Sequence, residues 1–457
     1  MSRRYLVVFA QAHNEFRIPE LRSIAELHGF EFSLPSALDD QDPNRPYMVL
    51  YVQEEEHARI LAKRCILIKS VYEFYGQGSS YEELHQNNRA SRALWSRYIL
   101  DTSFRFLVTA HNHKIPQARQ REVVESFSYM KLMGKIDMKS PEIILACLEE
   151  YTSRHGFVRS KHEGDGQFRQ VYFGRLLQEG TARSLIAKFD VKKRAYYGNT
   201  SMDSEISLLM ANQALASPGK LIYDPFMGTG STAYPTVHFG ALVFGSDIDG
   251  RQMRGKGNPP GVLRAASQYG TVSRILDLCT FDVTRNPWRR GALFDAIITD
   301  PPYGVRAGAK RLGRKKELTP SQLATFTEHR MSPRLDDQPY IPPTKPYELS
   351  NLILDLVVLA RYLLKPRGRV VFFLPTVTDE YTEIDIRQML CEGMEVIANS
   401  LQDFGSWGRR LVTIRKVNDI QYPPPTFLEH QKGLATTHIP AHKGFREKYF
   451  QGFRKEE

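Results

Sequence analysis

The first eighty residues alternate short apolar runs with amphipathic segments, and this pattern predicts a small α+β subdomain over residues 1–80. Apolar residues crowd the run at 5–10, as expected for a strand. A helix is predicted from Pro19 to Gly29, because apolar residues recur between them at helical spacing. The remaining predicted elements are a strand at 47–52, a helix at 54–63 and a strand at 65–68.

A second mixed pattern predicts a separate α+β domain over residues 81–175. Pro141 suits the first turn of a helix, because its fixed φ is already helical. The polar, glycine-containing run at 154–167 is predicted to be a loop. The predicted elements are helices at 80–97, 117–133 and 141–150, and strands at 104–108, 134–138 and 171–174. The residues alone suggest only packing or partner binding for this domain.

The pattern changes after a basic linker at 176–200, where short apolar strands begin to alternate with helices. Such alternation is typical of a doubly wound, Rossmann-like α/β domain with a parallel sheet. The nearly all-apolar run at 294–299 is expected to be a central strand buried on both faces. The predicted strands are 221–223, 241–244, 276–279, 294–299, 368–374 and 411–415. This domain is predicted to span 201–417, and 418–457 to form a loosely packed C-terminal tail.

A long polar loop at 305–346 interrupts the alternation. Loops of that length inside a compact domain are usually functional or disordered. The loop is rich in cations: Arg306, Lys310, Arg311, Arg314, Lys315 and Lys316. It either closes over an anionic substrate or is simply solvated, and the residues do not distinguish these alternatives.

The net charge indicates a type of binding partner, because the 457 residues carry a formal net charge of +11. An excess of that size suits a polyanion such as nucleic acid. The four cysteines form no CxxC pair, so we predict no metal site and a reducing compartment. The longest apolar stretch, 352–364, is shorter than the ~20 residues of a membrane span. The sequence therefore predicts a cytoplasmic protein with no membrane association.

Two motifs of the α/β domain predict a nucleoside-type cofactor. Asp224-Pro-Phe-Met-Gly-Thr-Gly230 follows a predicted strand and precedes a helix, and its glycines allow close approach of a ligand. Asp247 ends the next strand, where a carboxylate can bind both ribose hydroxyls. The glycine spacing departs from GxGxxG, which favours an adenosyl cofactor over a dinucleotide. Asp282, after the third strand, either meets the adenine amine or is a surface carboxylate.

The motif that carries the reaction is Asp300-Pro301-Pro302-Tyr303, which directly follows the buried strand. Two prolines stiffen the turn and leave carbonyl groups free to accept hydrogen bonds. Asp300 and the carbonyl of Pro301 can each accept one N–H of a base amine, while Tyr303 stacks on the ring. Such acceptors return electron density to an amine that is otherwise a poor nucleophile. Asp300 could also take the released proton.

Together these motifs resemble the Rossmann-like amino-methyltransferases, whose catalytic turn reads Asp, Asn or Ser followed by Pro-Pro and an aromatic residue. The resemblance implies a class I methyltransferase sheet and S-adenosyl-L-methionine as the cofactor. The segment Asn199-Thr-Ser-Met-Asp203 is similar to the family's additional cofactor segment. The implied cofactor residues are Thr200, Ser201, Met202, Asp224, Phe226, Gly228, Gly230, Asp247, Ile248 and Asp282.

The resemblance is narrower still, to the catalytic subunit of the tRNA guanosine-10 N2-methyltransferases. It rests on Lys193-Arg194 with Gly198–Asp203, on 210–212, on 294–304 and on 445–450. It implies a THUMP domain around 100–175, with Gly134–Pro141 as its matching residues, that helps to hold tRNA. It also implies a small zinc-binding activator protein as partner. This partner could dock by strand pairing at an edge of the catalytic sheet.

The function this predicts is methyl transfer from S-adenosyl-L-methionine to the N2 amine of a guanosine in tRNA. A DNA or ribosomal RNA amino-methyltransferase and a non-catalytic tRNA-binding subunit are the alternatives. Contact with RNA should be mostly electrostatic. The candidate RNA-binding residues are Lys192, Lys193, Arg194, Lys310, Arg311 and Arg314. The aromatic, basic tail either docks on the catalytic domain or touches RNA.

Overall fold

The computed structural model describes residues 3–35, 42, 44–152, 166–257, 259, 261–304, 308–314, 319–321, 327, 342–427 and 439–451. The chain divides into two compact units, residues 1–185 and 186–457. No helix within these described ranges is long and apolar enough to cross a bilayer. All four cysteines are free thiols.

One seven-stranded sheet organises the first unit, in the order β2-β3-β1-β4-β7-β6-β5. All neighbouring strands are antiparallel except β5 and β6, which run parallel. The strands are β1 Arg3–Phe9, β2 Phe32–Ser33, β3 Tyr47–Val52, β4 Ile68–Gly78, β5 Phe104–His111, β6 Ile143–Tyr151 and β7 Phe168–Glu179. The helices are α1 Arg17–His28, α2 Glu55–Arg64, α3 Tyr81–Ala90, α4 Arg92–Trp95 and α5 Gln117–Ser126. The boundary predicted at residue 80 therefore falls within one continuous sheet.

The helix predicted at 141–150 is wrong, because these residues form most of β6. β6 lies between β5 and β7, and Leu145, Ala146 and Cys147 are buried there. Sheet pairing on both edges outweighs the helix propensity of these side chains. The short strand predicted at 134–138 is also wrong, since Ile136 makes only an isolated bridge with Phe104.

A second seven-stranded sheet confirms the predicted Rossmann-like α/β fold of the second unit. Its order is β10-β9-β8-β11-β14-β16-β15, with five parallel strands followed by antiparallel β16. The strands are β8 Leu221–Asp224, β9 Leu242–Asp247, β10 Ile275–Thr280, β11 Phe294–Thr299, β14 Leu364–Val377, β15 Met394–Asp403 and β16 Trp407–Lys416. β12 Lys310–Leu312 and β13 Thr344–Pro346 form a small ribbon inside the predicted loop.

The helices of the second unit connect these strands and cover the sheet. They are α6 Ser184–Lys188, which contains the division between the units, α7 Ser204–Gln213, α8 Ala233–His238, α9 Gly250–Arg254, α10 Gly261–Gln268, α11 Leu349–Leu363, α12 Ile384–Arg387 and α13 Phe445–Gln451. The apolar face of α11 packs on β11 and β14, where Ile353, Leu356 and Val370 are fully buried. The prediction that β11 is a buried central strand is confirmed, because Ala296, Ile297 and Ile298 are inaccessible to solvent.

Candidate active site

Four predicted acidic residues lie at the carboxyl ends of neighbouring strands. Asp224 is the last residue of β8 and Asp247 the last of β9, while Asp282 and Asp300 follow β10 and β11 closely. Parallel strands bring these ends to one edge of the sheet. β8 and β11 meet where the strand order reverses, which is where open α/β sheets bind ligands. The fold therefore brings the predicted cofactor and catalytic motifs together.

Asp224 joins the two motifs at this edge through its buried carboxylate. The hydroxyl of Thr299, at the end of β11, donates to Asp224 at 2.8 Å, and the hydroxyl of Thr232 donates to its other oxygen. The amide of Phe226 donates as well, at 3.0 Å. Burial raises the pKa of Asp224 to about 7, against the opposing effect of these donors. Asp224 thus fixes the turn rather than offering a free carboxylate to a ligand.

The glycine turn is fixed from its other side by Asp247. One oxygen of Asp247 accepts from the amide of Gly228 at 2.9 Å, and the other accepts from the amide of Asp249 at 2.8 Å. Gly230 has φ +80°, and a Cβ there would lie 2.9 Å from the hydroxyl oxygen of Tyr234. A larger residue at 230 would therefore be strained and would displace a buried ring. The half-buried side chains of Phe226 and Ile248 flank this turn.

The segment at 199–203, which is the predicted additional cofactor segment, is tied to the same turn. The hydroxyl groups of Ser201 and Thr229 lie 2.8 Å apart, and the amide of Met202 donates to Ser231 at 3.1 Å. Met202 is buried, whereas Thr200 is exposed. The segment therefore lies against the glycine turn, with the side chain of Met202 buried and that of Thr200 exposed to solvent.

Each oxygen of Asp247 accepts one amide and keeps a second lone pair, so the carboxylate suits two ribose hydroxyls. An Asp247→Asn variant has only one oxygen, so its amide must face either a backbone N–H or a hydroxyl. We expect the Kd for S-adenosyl-L-methionine, measured by isothermal titration calorimetry, to rise about 30-fold, as for loss of a charged hydrogen bond. Asp249→Asn is the matched control, because Asp249 caps α9 and pairs with Arg251. Equal affinities of the two variants would contradict the role of Asp247.

Asp282 is buried, and most of its hydrogen-bonding capacity is taken up by other residues of the chain. The amide and hydroxyl of Thr284 both donate to one oxygen, at 2.8 and 2.9 Å. The amide of Leu312, in β12, donates to the other oxygen at 2.6 Å. Asp282 thus holds the described start of the 305–346 loop against β10. Contact with an adenine amine stays a prediction, for which one lone pair of the second oxygen is available.

Asp300 carries the unsatisfied acceptor of the site. Its side chain is 23% exposed, and its Oδ1 atom is buried without a hydrogen-bond partner in the described part of the chain. Burial raises the pKa of Asp300 to about 6, and the nearby Arg409 guanidinium opposes this rise. An unsatisfied buried acceptor is costly unless a ligand supplies the donor. An amine N–H is such a donor, so the geometry suits the predicted chemistry.

Arg409, on β16, reaches both charged and aromatic members of the catalytic turn. Its Nη1 atom lies 3.8 Å from Asp300 Oδ2 and donates to the hydroxyl of Tyr303 at 3.4 Å. Gln402 accepts from its Nε atom at 2.6 Å, and the guanidinium lies 4.3 Å from the centre of the Phe373 ring. Arg409 is therefore rigidly held beside the proposed amine site. Pro301 is buried and Pro302 half-buried at the same turn.

Removing the guanidinium should change the pH at which Asp300 ionises. A carboxylate that must be ionised is active above its pKa and loses activity as the pH falls through about 6. Because Arg409 lowers this pKa, Arg409→Gln should move the acidic limb of the kcat/KM profile upward, by about one pH unit. Arg410→Gln is the matched control, since Arg410 lies over the Tyr381 ring instead. Identical acidic limbs in both variants would contradict this coupling.

The predicted RNA-binding residues separate into exposed and buried groups. Lys192, Lys193, Lys310 and Arg314 are exposed, and Arg311 is half-buried with its guanidinium 5.2 Å from the centre of the Tyr347 ring. Arg194 is only 4% exposed and donates to Ser231 at 2.9 Å. We correct the prediction for Arg194, because a buried guanidinium that braces the glycine turn cannot face RNA. Arg306, Lys315 and Lys316 lie outside the described residues.

Sequence reasoning missed Arg409, which contacts Tyr303, and Trp407, whose ring packs on that of Phe445. Phe445 lies in the tail segment that carries part of the resemblance, but its contact with Tyr303 was not predicted. The predicted strand at 411–415 begins too late to include the start of β16 at Trp407. The tail segment at 439–451 is also not loosely packed, since Ala441 and Phe445 are buried. For Trp407 and Arg409, the aromatic residue and the two arginines within 407–410 are a local signal that could have indicated the site.

Comparison with known proteins follows the same division of the chain. The sequence family described as "Tmrp11 THUMP N-terminal domain" matches residues 3–182. Over nearly the whole chain, the protein is similar to enzymes named tRNA (guanine(10)-N(2))-methyltransferase. It is 35% identical to that of Saccharomyces cerevisiae over 99% of this chain and 100% of the relative. It is 34% identical to that of Schizosaccharomyces pombe over 98% and 96%, and 33% identical to TRMT11 of Homo sapiens over 99% and 96%.

Among solved structures, the chain is similar to TrmN from Thermus thermophilus, with a TM-score of 0.41 and 18% sequence identity over 91% of this chain and all of that one. A methyltransferase solved as a complex with SAH, SMU.472, has a TM-score of 0.38 and 12% identity over 90% of this chain and 98% of that one.

Proposed function

The chain belongs to the tRNA (guanine(10)-N(2))-methyltransferase family, and from that premise we propose that its Asp300–Tyr303 turn binds the target guanine and that the nucleotide is position 10 of tRNA. The protein is a methyltransferase that acts on the N2 amine of guanosine in tRNA. The observation that carries the site assignment is the buried, unsatisfied Oδ1 atom of Asp300 beside a proline-stiffened turn. Neither alternative substrate is favoured by a feature of the described residues.

In this proposal Asp300 and the carbonyl of Pro301 accept the two N–H groups of the amine. The attraction between this carboxylate and the amine nitrogen grows as positive charge develops on the nitrogen. Asp300 therefore stabilises the transition state more than the bound substrate. Asp300 then takes the released proton, for which a pKa near 6 is well suited. Pro302 keeps the turn rigid, and Tyr303 stacks on the base.

We propose S-adenosyl-L-methionine as the methyl donor, and the residues at the sheet edge fit it. When bound, it supplies an electrophilic methyl group on a sulfonium. Asp247 would bind the ribose of the cofactor. The Gly228–Gly230 turn would let the cofactor lie close to the protein backbone, and Ser201 and Met202 would lie near its amino-acid part.

Nucleoside analysis tests the proposed function directly. The purified chain is incubated with labelled S-adenosyl-L-methionine and unmodified tRNA, with and without the activator, and the tRNA is then digested to nucleosides. Label in N2-methylguanosine, lost when guanosine 10 is replaced by adenosine, supports the proposal. Label in methyladenosine, or N2-methylguanosine that persists in the replaced tRNA, would reject the target.

We also propose that the ribbon of β12 and β13 contacts tRNA phosphates through Lys310 and Arg314, which are both exposed. Changing both residues to serine should raise the KM for tRNA several-fold and reduce the salt dependence by about one unit of slope per lost contact. Lys220→Ser is the control, because Lys220 pairs with Asp295 at the opposite edge of the sheet. An unchanged KM and slope in the double variant would exclude the ribbon as a contact.

We propose that a small zinc-binding activator protein pairs with β10. β10 is an end strand of the catalytic sheet, and Leu276 on it is 51% exposed. Strand addition at such an edge satisfies backbone groups that otherwise face solvent. Leu276→Asp should weaken co-purification with the activator, whereas Ile420→Asp, at an equally exposed apolar position, should not. Equal co-purification of both variants would place the partner elsewhere.

We propose a cytoplasmic location, as the sequence suggests. Cys279 and Cys391 are partly exposed free thiols, and these persist in a reducing compartment. Cell fractionation with an antibody to the native chain tests this, and a signal confined to an organelle fraction would reject it.

A further inference from the structure

The described end of the chain, residues 439–451, lies on the catalytic turn, and we call it the C-terminal strap. Phe445 in α13 is 2% exposed. Its ring meets Tyr303 edge-to-face, with centroids 6.5 Å apart and planes at 79°. Its ring centre is 5.6 Å from that of Trp407, which in turn lies 5.5 Å from that of Tyr449. An aromatic cluster thus surrounds one side of the residue proposed to stack on guanine.

The strap is anchored before and along α13. The amide of Ala441 donates to Asp385 Oδ2 at 3.1 Å. His442 is 3% exposed, and burial lowers its pKa to about 4, so it is neutral inside the protein. Lys448 pairs with Glu380 further along the helix. These contacts hold α13 against the segment around α12, so the position of Phe445 does not depend on Tyr303 alone.

The strap also contacts the residue that leaves the catalytic turn. Gly304 has φ +97°, and a Cβ there would lie 3.1 to 3.3 Å from the side-chain carbons of Arg446. Helix α13 can therefore approach the turn this closely because Gly304 has no side chain. Arg446 covers Gly304 while Phe445 covers Tyr303, so two consecutive residues of the strap hold two consecutive residues of the turn.

We propose that the C-terminal strap completes the binding site for the target base, with Phe445 as a positioning residue that holds the Tyr303 ring for stacking. The proposal rests on the proposed function, because it concerns the same base. A phenol ring on a short turn would otherwise lose rotational freedom each time a base binds. The edge-to-face contact with Phe445 fixes that ring beforehand, so less ordering accompanies formation of the reactive complex.

Two variants of Phe445 in the full-length chain separate this role from simple filling of the core. Phe445→Ala removes the ring and leaves space, whereas Phe445→Leu keeps most of the apolar volume and should fold normally. We expect kcat for N2-methylguanosine formation to fall about 10-fold in Phe445→Leu and more in Phe445→Ala, as for loss of an aromatic contact to the stacking residue. The KM for tRNA and the Kd for S-adenosyl-L-methionine should change less than about twofold.

Phe450→Ala is the matched control, because Phe450 is on the same helix but 63% exposed. It should retain the wild-type kcat, and Phe445→Tyr, which keeps the ring, should restore most of the activity lost in Phe445→Leu. A folded Phe445→Leu variant with wild-type kcat would overturn the proposal. So would an equal loss in Phe450→Ala accompanied by a raised KM for tRNA, which would make the strap an RNA contact instead. An inactive wild-type chain, with its activator present, would reject the proposed function rather than the strap.

Discussion

An Asp300→Ala variant is expected to lose methyl transfer by about 1,000-fold in kcat, the loss typical of removing both a transition-state acceptor and a general base. Asp300 supplies the unsatisfied buried acceptor of the site. Without it, only the carbonyl of Pro301 is left to accept from the amine. Single-turnover methyl transfer to tRNA measures the chemical step without product release.

Asp300→Asn makes this prediction sharper, because the amide keeps one oxygen acceptor but can neither carry charge nor take the proton. Its kcat should lie between those of the wild type and Asp300→Ala. Binding of tRNA and of S-adenosyl-L-methionine should be unchanged in both, since neither ligand is held mainly by this carboxylate. Asp295→Asn, at the start of β11, is the control and should keep its activity. Retained methyl transfer in Asp300→Ala would show that Asp300 is not the essential acceptor.

The sequence predicted those parts of the site that are encoded by consecutive residues. Asp224, Asp247 and Asp300 each follow an apolar run, and parallel strands bring their carboxyl ends to one edge whatever the details of packing. Hence the order of motifs along the chain was enough to predict that the cofactor and catalytic turns meet. The glycines of the cofactor turn are a local signal as well, since Gly228 and Gly230 both adopt a positive φ that other residues rarely take.

The sequence did not predict contacts made across the fold. Arg409 reaches Tyr303 from 106 residues further along the chain, and its strand lies beyond β14 in the sheet. Phe445 reaches the same ring from the tail, which was predicted to pack loosely. Arg194 shows the opposite error, because a cation read as an RNA contact is buried against Ser231. Periodicity carries no information on which distant surfaces pack together.

A second large effect is expected in the first unit, where Arg45 and Glu150 form a buried ion pair. The two side chains are 4% and 3% exposed, and Arg45 donates to both oxygens of Glu150 at 2.7 and 3.0 Å. Gln170 and Tyr172 accept further bonds from Arg45. Arg45→Met leaves the carboxylate of Glu150 buried without its main partner, so we expect the free energy of unfolding of this unit to fall by about 3–5 kcal/mol.

Denaturant unfolding and hydrogen exchange measure this loss, which should be confined to residues 1–185. Lys63→Met is the control, because its pair with Glu56 is more than half exposed and should contribute less than about 1 kcal/mol. An Arg45→Met, Glu150→Leu double variant should recover much of the stability, since no charge is then left buried. Binding of S-adenosyl-L-methionine should persist in Arg45→Met, because every proposed cofactor residue belongs to the second unit. Binding of tRNA should weaken, since the first unit carries the THUMP match. If the first unit of Arg45→Met has lost its protection from hydrogen exchange and tRNA binding is nevertheless unchanged, the catalytic unit alone holds the RNA.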